Sequence, residues 1–216
     1  MQQLSSSNLI NSSLLTLLLF IILSTLVKLD IFHNLDYEIF TYFQIYKDSL
    51  AHTFFVIFTK LSSTPASLII FAIIFLILFK LQKIEEMIFS TLFLGLSAVG
   101  AYILKYIFLI QRPLANIDSL SGYSYPSGHA VLSLTLTFII LYITSRSRIE
   151  QNYKNFINIL FLVYAHLSLF ARIFLGAHWF SDSLAGILHV VFFFLISLLI
   201  LQKITKMPMY TKIIKK

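Results

Sequence analysis

A chain of 216 residues that is 58% hydrophobic and only 12% charged is not an ordinary soluble domain, where about a quarter of residues carry charge. The formal charge of +7 gives no argument for nucleic acid, because most of the excess lies in loops and a tail beside apolar runs. Cysteine is absent, which excludes disulfides, a thiol nucleophile and thiolate metal sites.

Several apolar runs approach the roughly 20 residues that cross a bilayer. The composition therefore predicts an all-α, polytopic membrane protein, with residues 1–216 as one integral-membrane domain. The first span is Leu9–Val27. Residues 1–7 hold no Lys or Arg, and no clear cleavage pattern follows, so this run reads as a retained helix. Residues 31–61 are more polar. Leu35, Ile39, Tyr42, Phe43 and Tyr46 recur there at helical spacing, which predicts an amphipathic helix at the interface after the first span. Ser62-Ser63-Thr64 leads into Pro65, a start signal for the second span, Pro65–Phe79, extended upstream by Thr53–Leu61.

Lys80–Glu86 reads as a charged turn, and Met87–Ile110 as the third span, stopped by Arg112-Pro113. The loop 114–125 precedes a fourth span, Ser127–Thr144. The fifth is Phe156–Leu175, broken at Gly176, and the sixth is Trp179–Leu201, followed by a basic tail. With both termini cytoplasmic, ten Lys and Arg residues lie inside and six outside, which satisfies the positive-inside rule.

Three of the outer cations, Lys105, Arg112 and Arg172, fall near the ends of apolar spans. Ionisable groups at membrane depth are costly and are usually paired or functional. Lys105 and Arg112 are seven apart, two turns on one face of the third helix, near its outer end. Beside them is Gly122-Tyr-Ser-Tyr-Pro-Ser-Gly-His129-Ala130. Ser127 suits a helix cap, Gly128 allows close backbone approach, and His129 stands at the start of the fourth span. A helix N-terminus and three cations make a site for a dianion.

A second constellation is Arg172-Ile-Phe-Leu-Gly-Ala-His178-Trp-Phe-Ser-Asp182. His178 and Asp182, four apart, can pair so that the carboxylate takes the Nδ1 proton and aims Nε2 outward. This favours His178 over His129 as a nucleophile, since only His178 has a carboxylate at i+4. His33 and His52 read as solvated, and His166 as a helix–helix contact. His189, seven after Asp182, lies on the same face but deeper. Tyr123 and Tyr125 are candidates for the substrate entrance, and Trp179 for the interfacial aromatic belt.

Together, Lys105-x6-Arg112-Pro113, Pro126-Ser127-Gly128-His129 and Arg172-x5-His178-x3-Asp182 resemble the three-part signature of the type 2 phosphatidic acid phosphatase superfamily. The resemblance spans residues 9–202, with the motifs confined to the second half. It implies a six-transmembrane-helix bundle with its site at the periplasmic face of a bacterial inner membrane. It also implies lipid phosphate hydrolysis through a phosphohistidine. His178 would be the nucleophile, Asp182 its orienting acid and His129 the proton donor. Lys105, Arg112, Ser127, Gly128 and Arg172 would hold phosphate, with no metal and no cofactor.

The substrate expected is a membrane lipid phosphate, first undecaprenyl diphosphate. Phosphatidylglycerophosphate, phosphatidate and lipid A are the alternatives. The family usually has Ser before the second Arg, where this chain has Ala171. That departure removes a hydroxyl from the expected phosphate cradle, for which Ser121, Ser124 or water could substitute. It also raises the rival reading of a catalytically impaired lipid-binding or lipid-transport protein.

Overall fold

The computed structural model describes residues 5–113 and 122–207. The loop 114–121, Ser121 included, and the basic tail 208–216 lie outside the described residues. The described residues form eight α-helices and no β-strand: α1 (Ser6–Lys28), α2 (His33–Gln44), α3 (Leu50–Leu61), α4 (Thr64–Lys80), α5 (Ile84–Phe108), α6 (Gly128–Arg146), α7 (Gln151–Phe174) and α8 (Phe180–Thr205). Helices α1, α5, α6, α7 and α8 are each long and apolar enough to cross a bilayer. Helices α3 and α4, bent by 48° at their junction, are long and apolar enough to cross only as a pair, which makes five spans or six.

Local chemistry explains where the helices begin. Ser5, Ser49, Ser63 and Ser127 cap α1, α3, α4 and α6, each hydroxyl accepting a first-turn backbone N–H. Ser63 also interrupts the second span: its cap starts α4, with Pro65 in the first turn, and leaves α3 as a separate segment. The charged turn shrinks, because Glu85 and Glu86 belong to the first turn of α5, where the helix dipole favours acids. Both pair with Arg146 at the end of α6.

Small residues let the spans approach. A Cβ on Gly186 of α8 would stand 3.1 Å from the Ala130 methyl of α6, and one on Gly100 of α5 would stand 2.7 Å from Phe193 of α8. Such close approach is how helices associate where lipid is as apolar as their side chains. Phe89, Phe93, Val131, Ile139 and Val190 form the core between α5, α6 and α8.

Three sequence expectations change here. The third helix ends at Phe108, not Ile110, because Leu109 turns left-handed (φ 54°) and donates to the Lys105 carbonyl. Arg112 therefore lies beyond the helix rather than two turns along it. Along α2 and its cap, Asp36 is buried and Phe32, Ile39, Phe40 and Phe43 are half-buried, whereas Leu35 and Tyr42 of the expected stripe are exposed. His166, expected to be a helix–helix contact, is exposed, and its ring bonds the Leu162 carbonyl of its own helix.

Candidate active site

The candidate residues converge where α5 and α7 end and α6 and α8 begin. Gly176 (φ 65°) closes α7, and the chain turns through Ala177 and His178 to the α8 cap at Trp179. Asp182 is the third residue of α8. Its Oδ2 accepts from the Trp179 amide at 2.9 Å and from His178 Nδ1 at 3.1 Å. The i+4 pair thus forms across a helix cap, not along a helical face, since His178 precedes the helix. The Ser127 amide donates to the Asp182 carbonyl at 3.2 Å, which joins the starts of α6 and α8.

The tautomer of His178 follows from its other neighbour. Arg112 Nη1 lies 2.9 Å from His178 Nε2. A guanidinium only donates, so Nε2 accepts and the ring proton sits on Nδ1, facing Asp182. His178 is 3% exposed. Burial, then the nearby Arg172, Arg112, Lys105 and His129, hold its imidazole well below its ordinary pKa. The ring is neutral, with its lone pair directed at a cation.

The cations differ in their commitments. Lys105 Nζ donates to the carbonyls of Tyr123 (2.8 Å), Pro126 (3.0 Å) and Ser124 (3.4 Å), and so gathers the strand of chain before α6. Arg112 donates to Gly122, Tyr123 and Ala177 carbonyls as well as to His178, and burial lowers its pKa. Arg172 is 6% exposed, yet its Nε has no hydrogen-bond partner among the described residues. None of the three forms an ion pair with a carboxylate among those residues.

At the start of α6, a Cβ on Gly128 would meet nothing within 4 Å. The half-buried His129 ring makes no hydrogen bond among the described residues. The structure thus brings together all eight residues singled out: Lys105, Arg112, Ser127, Gly128, His129, Arg172, His178 and Asp182. Large cavities lie elsewhere. One of about 790 Å³, between Glu86, Phe138, Arg146 and Phe194, opens at the opposite end of the bundle and touches none of these residues.

The sequence matches the PAP2 superfamily over residues 13–206. The chain belongs to that superfamily. It is a multi-pass membrane protein and, by family, a lipid phosphatase acting on phosphate esters. Its fold is similar to the crystal structure of the transmembrane PAP2-type phosphatidylglycerolphosphate phosphatase from Bacillus subtilis, with a TM-score of 0.78 and 21% identity, covering 90% of this chain and 98% of the other. No curated protein matches the sequence.

Several supporting residues take places that the sequence did not indicate. Ser124 Oγ donates to the Ile110 and Gln111 carbonyls (3.2 Å) and to Asp182 Oδ1 (3.4 Å), so it supports the acid instead of replacing a phosphate donor. Tyr125 lines no entrance. It is fully buried, its hydroxyl pairs with Ser24 at 2.7 Å, and burial pushes its phenol pKa up. His189 Nε2 donates to the Ser97 carbonyl at 2.8 Å, outside the site network. Ala171 packs with Phe55 and Phe174, so a hydroxyl there would enter an aromatic cluster, not a phosphate cradle.

Proposed function

We propose that the chain hydrolyses the phosphate or diphosphate of a membrane lipid through a phosphohistidine on His178. The observation that carries this reading is the pairing of His178, with Nδ1 on a buried carboxylate and the Nε2 lone pair on a cation that an incoming phosphate would recruit. The buried, incompletely bonded Arg172 supports it, because an orphaned charged donor is costly unless a ligand completes it.

Phosphate sits over the start of α6, beside the Gly128 amide and the Ser127 hydroxyl, with Lys105, Arg112 and Arg172 around its oxygens. Arg112 moves from His178 to the phosphate, which frees Nε2. That lone pair attacks phosphorus, forming the P–N bond as the P–O bond to the lipid breaks. Asp182 stabilises the imidazolium character of the phosphorylated ring. His129 gives its proton to the departing oxygen. It then takes one from the water that attacks phosphorus, breaks the P–N bond and restores neutral His178. No step calls for a metal.

The site lies at the periplasmic face of a bacterial inner membrane with both termini cytoplasmic, as the ten-to-six distribution of cations favours. Three cations suit a diphosphate, so undecaprenyl diphosphate is the first substrate. Phosphatidylglycerophosphate, the substrate class of the structurally similar enzyme, comes next, with phosphatidate and lipid A. The reading of an impaired lipid-binding or lipid-transport protein loses its motive, because Ala171 points into the aromatic cluster.

The test is phosphate release from these lipids and from a short soluble phosphate ester in matched micelles. Faster turnover of a lipid than of the soluble ester supports lateral entry. Faster turnover of the soluble ester than of every lipid refutes it.

A further inference from the structure

Asp36 is a buried acid that the chemistry above leaves unused. It lies on α2, 145 residues before the residue it binds. Only 6% exposed, its carboxylate accepts from the Ser181 amide through Oδ1 (2.9 Å) and from the Ser181 hydroxyl through Oδ2 (2.5 Å). Burial nonetheless raises its pKa, against the opposing pull of these bonds. A carboxyl buried at that cost is fixed in one place by its partners.

Ser181 is the second residue of α8 and adjoins Asp182. Asp182 takes the amide of Trp179, and Asp36 takes the amide of Ser181. Two carboxylates from different helices therefore share the free amides of one helix start. Aromatic contacts seat α2 on the same turn. Phe40 stands 5.9 Å from Trp179, and Phe43 stands 5.2 Å from Phe174, the last residue of α7. The segment carrying His178 is thus held by α2 on both sides.

We propose that Asp36 is a positioning residue for the reaction: by gripping Ser181 it fixes the first turn of α8, and with it the Asp182 carboxylate that orients His178. The inference rests on the reading of His178 and Asp182 as the reacting pair. Asp182 Oδ2 must reach the Trp179 amide and His178 Nδ1 together, within 2.9 and 3.1 Å. A first helical turn frays readily, and a misplacement of about 1 Å costs on the order of 100-fold in rate.

The test measures kcat, KM and melting temperature for Asp36→Ala, Asp36→Asn and Ser181→Ala, alone and in an Asp182→Asn background. His178→Ala serves as the control. Asp36→Ala is expected to lower kcat about tenfold or more, with KM within about twofold of wild type. Asp36→Asn keeps an acceptor for the Ser181 amide and should fall between. In the Asp182→Asn background the loss from either change should shrink to about twofold, because Asp36 acts through Asp182.

If Asp36→Ala does not fold, Asp36→Asn and Ser181→Ala carry the same comparison. Unchanged kcat in folded variants, whatever their melting temperature, overturns the proposal. So does an equal loss with and without Asp182. An active His178→Ala enzyme would instead sink the assignment of the reacting pair, a failure that this control separates from failure of the Asp36 proposal.

Discussion

Replacing Arg172 with Met should stabilise the ligand-free protein and remove its response to phosphate analogues. The Arg172 guanidinium is buried, its Nε has no partner among the described residues, and Arg112 repels it. An unsatisfied buried donor costs about 1–3 kcal/mol. Exchanging buried charge for a packed apolar side chain gains about 1–4 kcal/mol. For a chain of this length each kcal/mol moves the melting temperature by about 2–4 °C, so Arg172→Met should melt about 2–16 °C higher. Orthovanadate at about 100 times its Kd should stabilise the wild type by about 2.7 kcal/mol, and the variant should lose most of that gain. Trp179, the single tryptophan, adjoins His178 and can report unfolding by fluorescence. A variant that melts lower than wild type and keeps its full vanadate shift would refute the assignment of Arg172 to the anion site.

Other outcomes follow from the same geometry. Asp182→Asn should reduce kcat steeply in a protein that still folds. It should also move the acidic limb of the kcat/KM profile to lower pH. The sign follows from His178: activity is lost as falling pH protonates the ring, its pKa already lies below 6.5, and loss of the carboxylate disfavours the imidazolium further. An acidic limb that stays in place would count against His178 as the group that must be neutral. Turnover should survive EDTA and be inhibited by orthovanadate, which mimics five-coordinate phosphorus; loss on chelation with recovery on adding a divalent ion would contradict the mechanism. Ala171→Ser should leave kcat within about twofold and cost about 1 kcal/mol or less of stability, its hydroxyl turning to a backbone carbonyl of α7. A large rise in kcat would place that side chain at the phosphate.

The spans and the residues of the candidate site stood out in the sequence for separable reasons. Apolar runs had to be helices because a bilayer satisfies no backbone polar group. His129, His178 and the three cations stood out as ionisable residues beside apolar spans. What spacing could not convey was geometry set by caps and turns. The step from Lys105 to Arg112 suggested one helical face, but a left-handed Leu109 intervenes, and the two meet instead at the Tyr123 carbonyl. His178 reaches Asp182 through a helix cap for the same kind of reason. Asp36 did carry a signal: it stands four residues after Phe32 and four before Phe40, a charge within an apolar stripe. A second stripe through Leu35 and Tyr42 obscured it, since α2 carries large apolar side chains on its exposed face as well. Ser181, far along the chain, was beyond any local pattern.

The central claim is that His178 carries the phosphoryl group. It is tested by mixing the enzyme with a lipid labelled in its scissile phosphate, quenching in alkali, which preserves phosphohistidine, and mapping the label by mass spectrometry. The account predicts a phosphoryl group on His178 that forms before phosphate is released and is absent from His178→Ala, which should show no turnover. A folded His178→Ala enzyme that turns over close to the wild-type rate, or a label found on His129 instead, would contradict it.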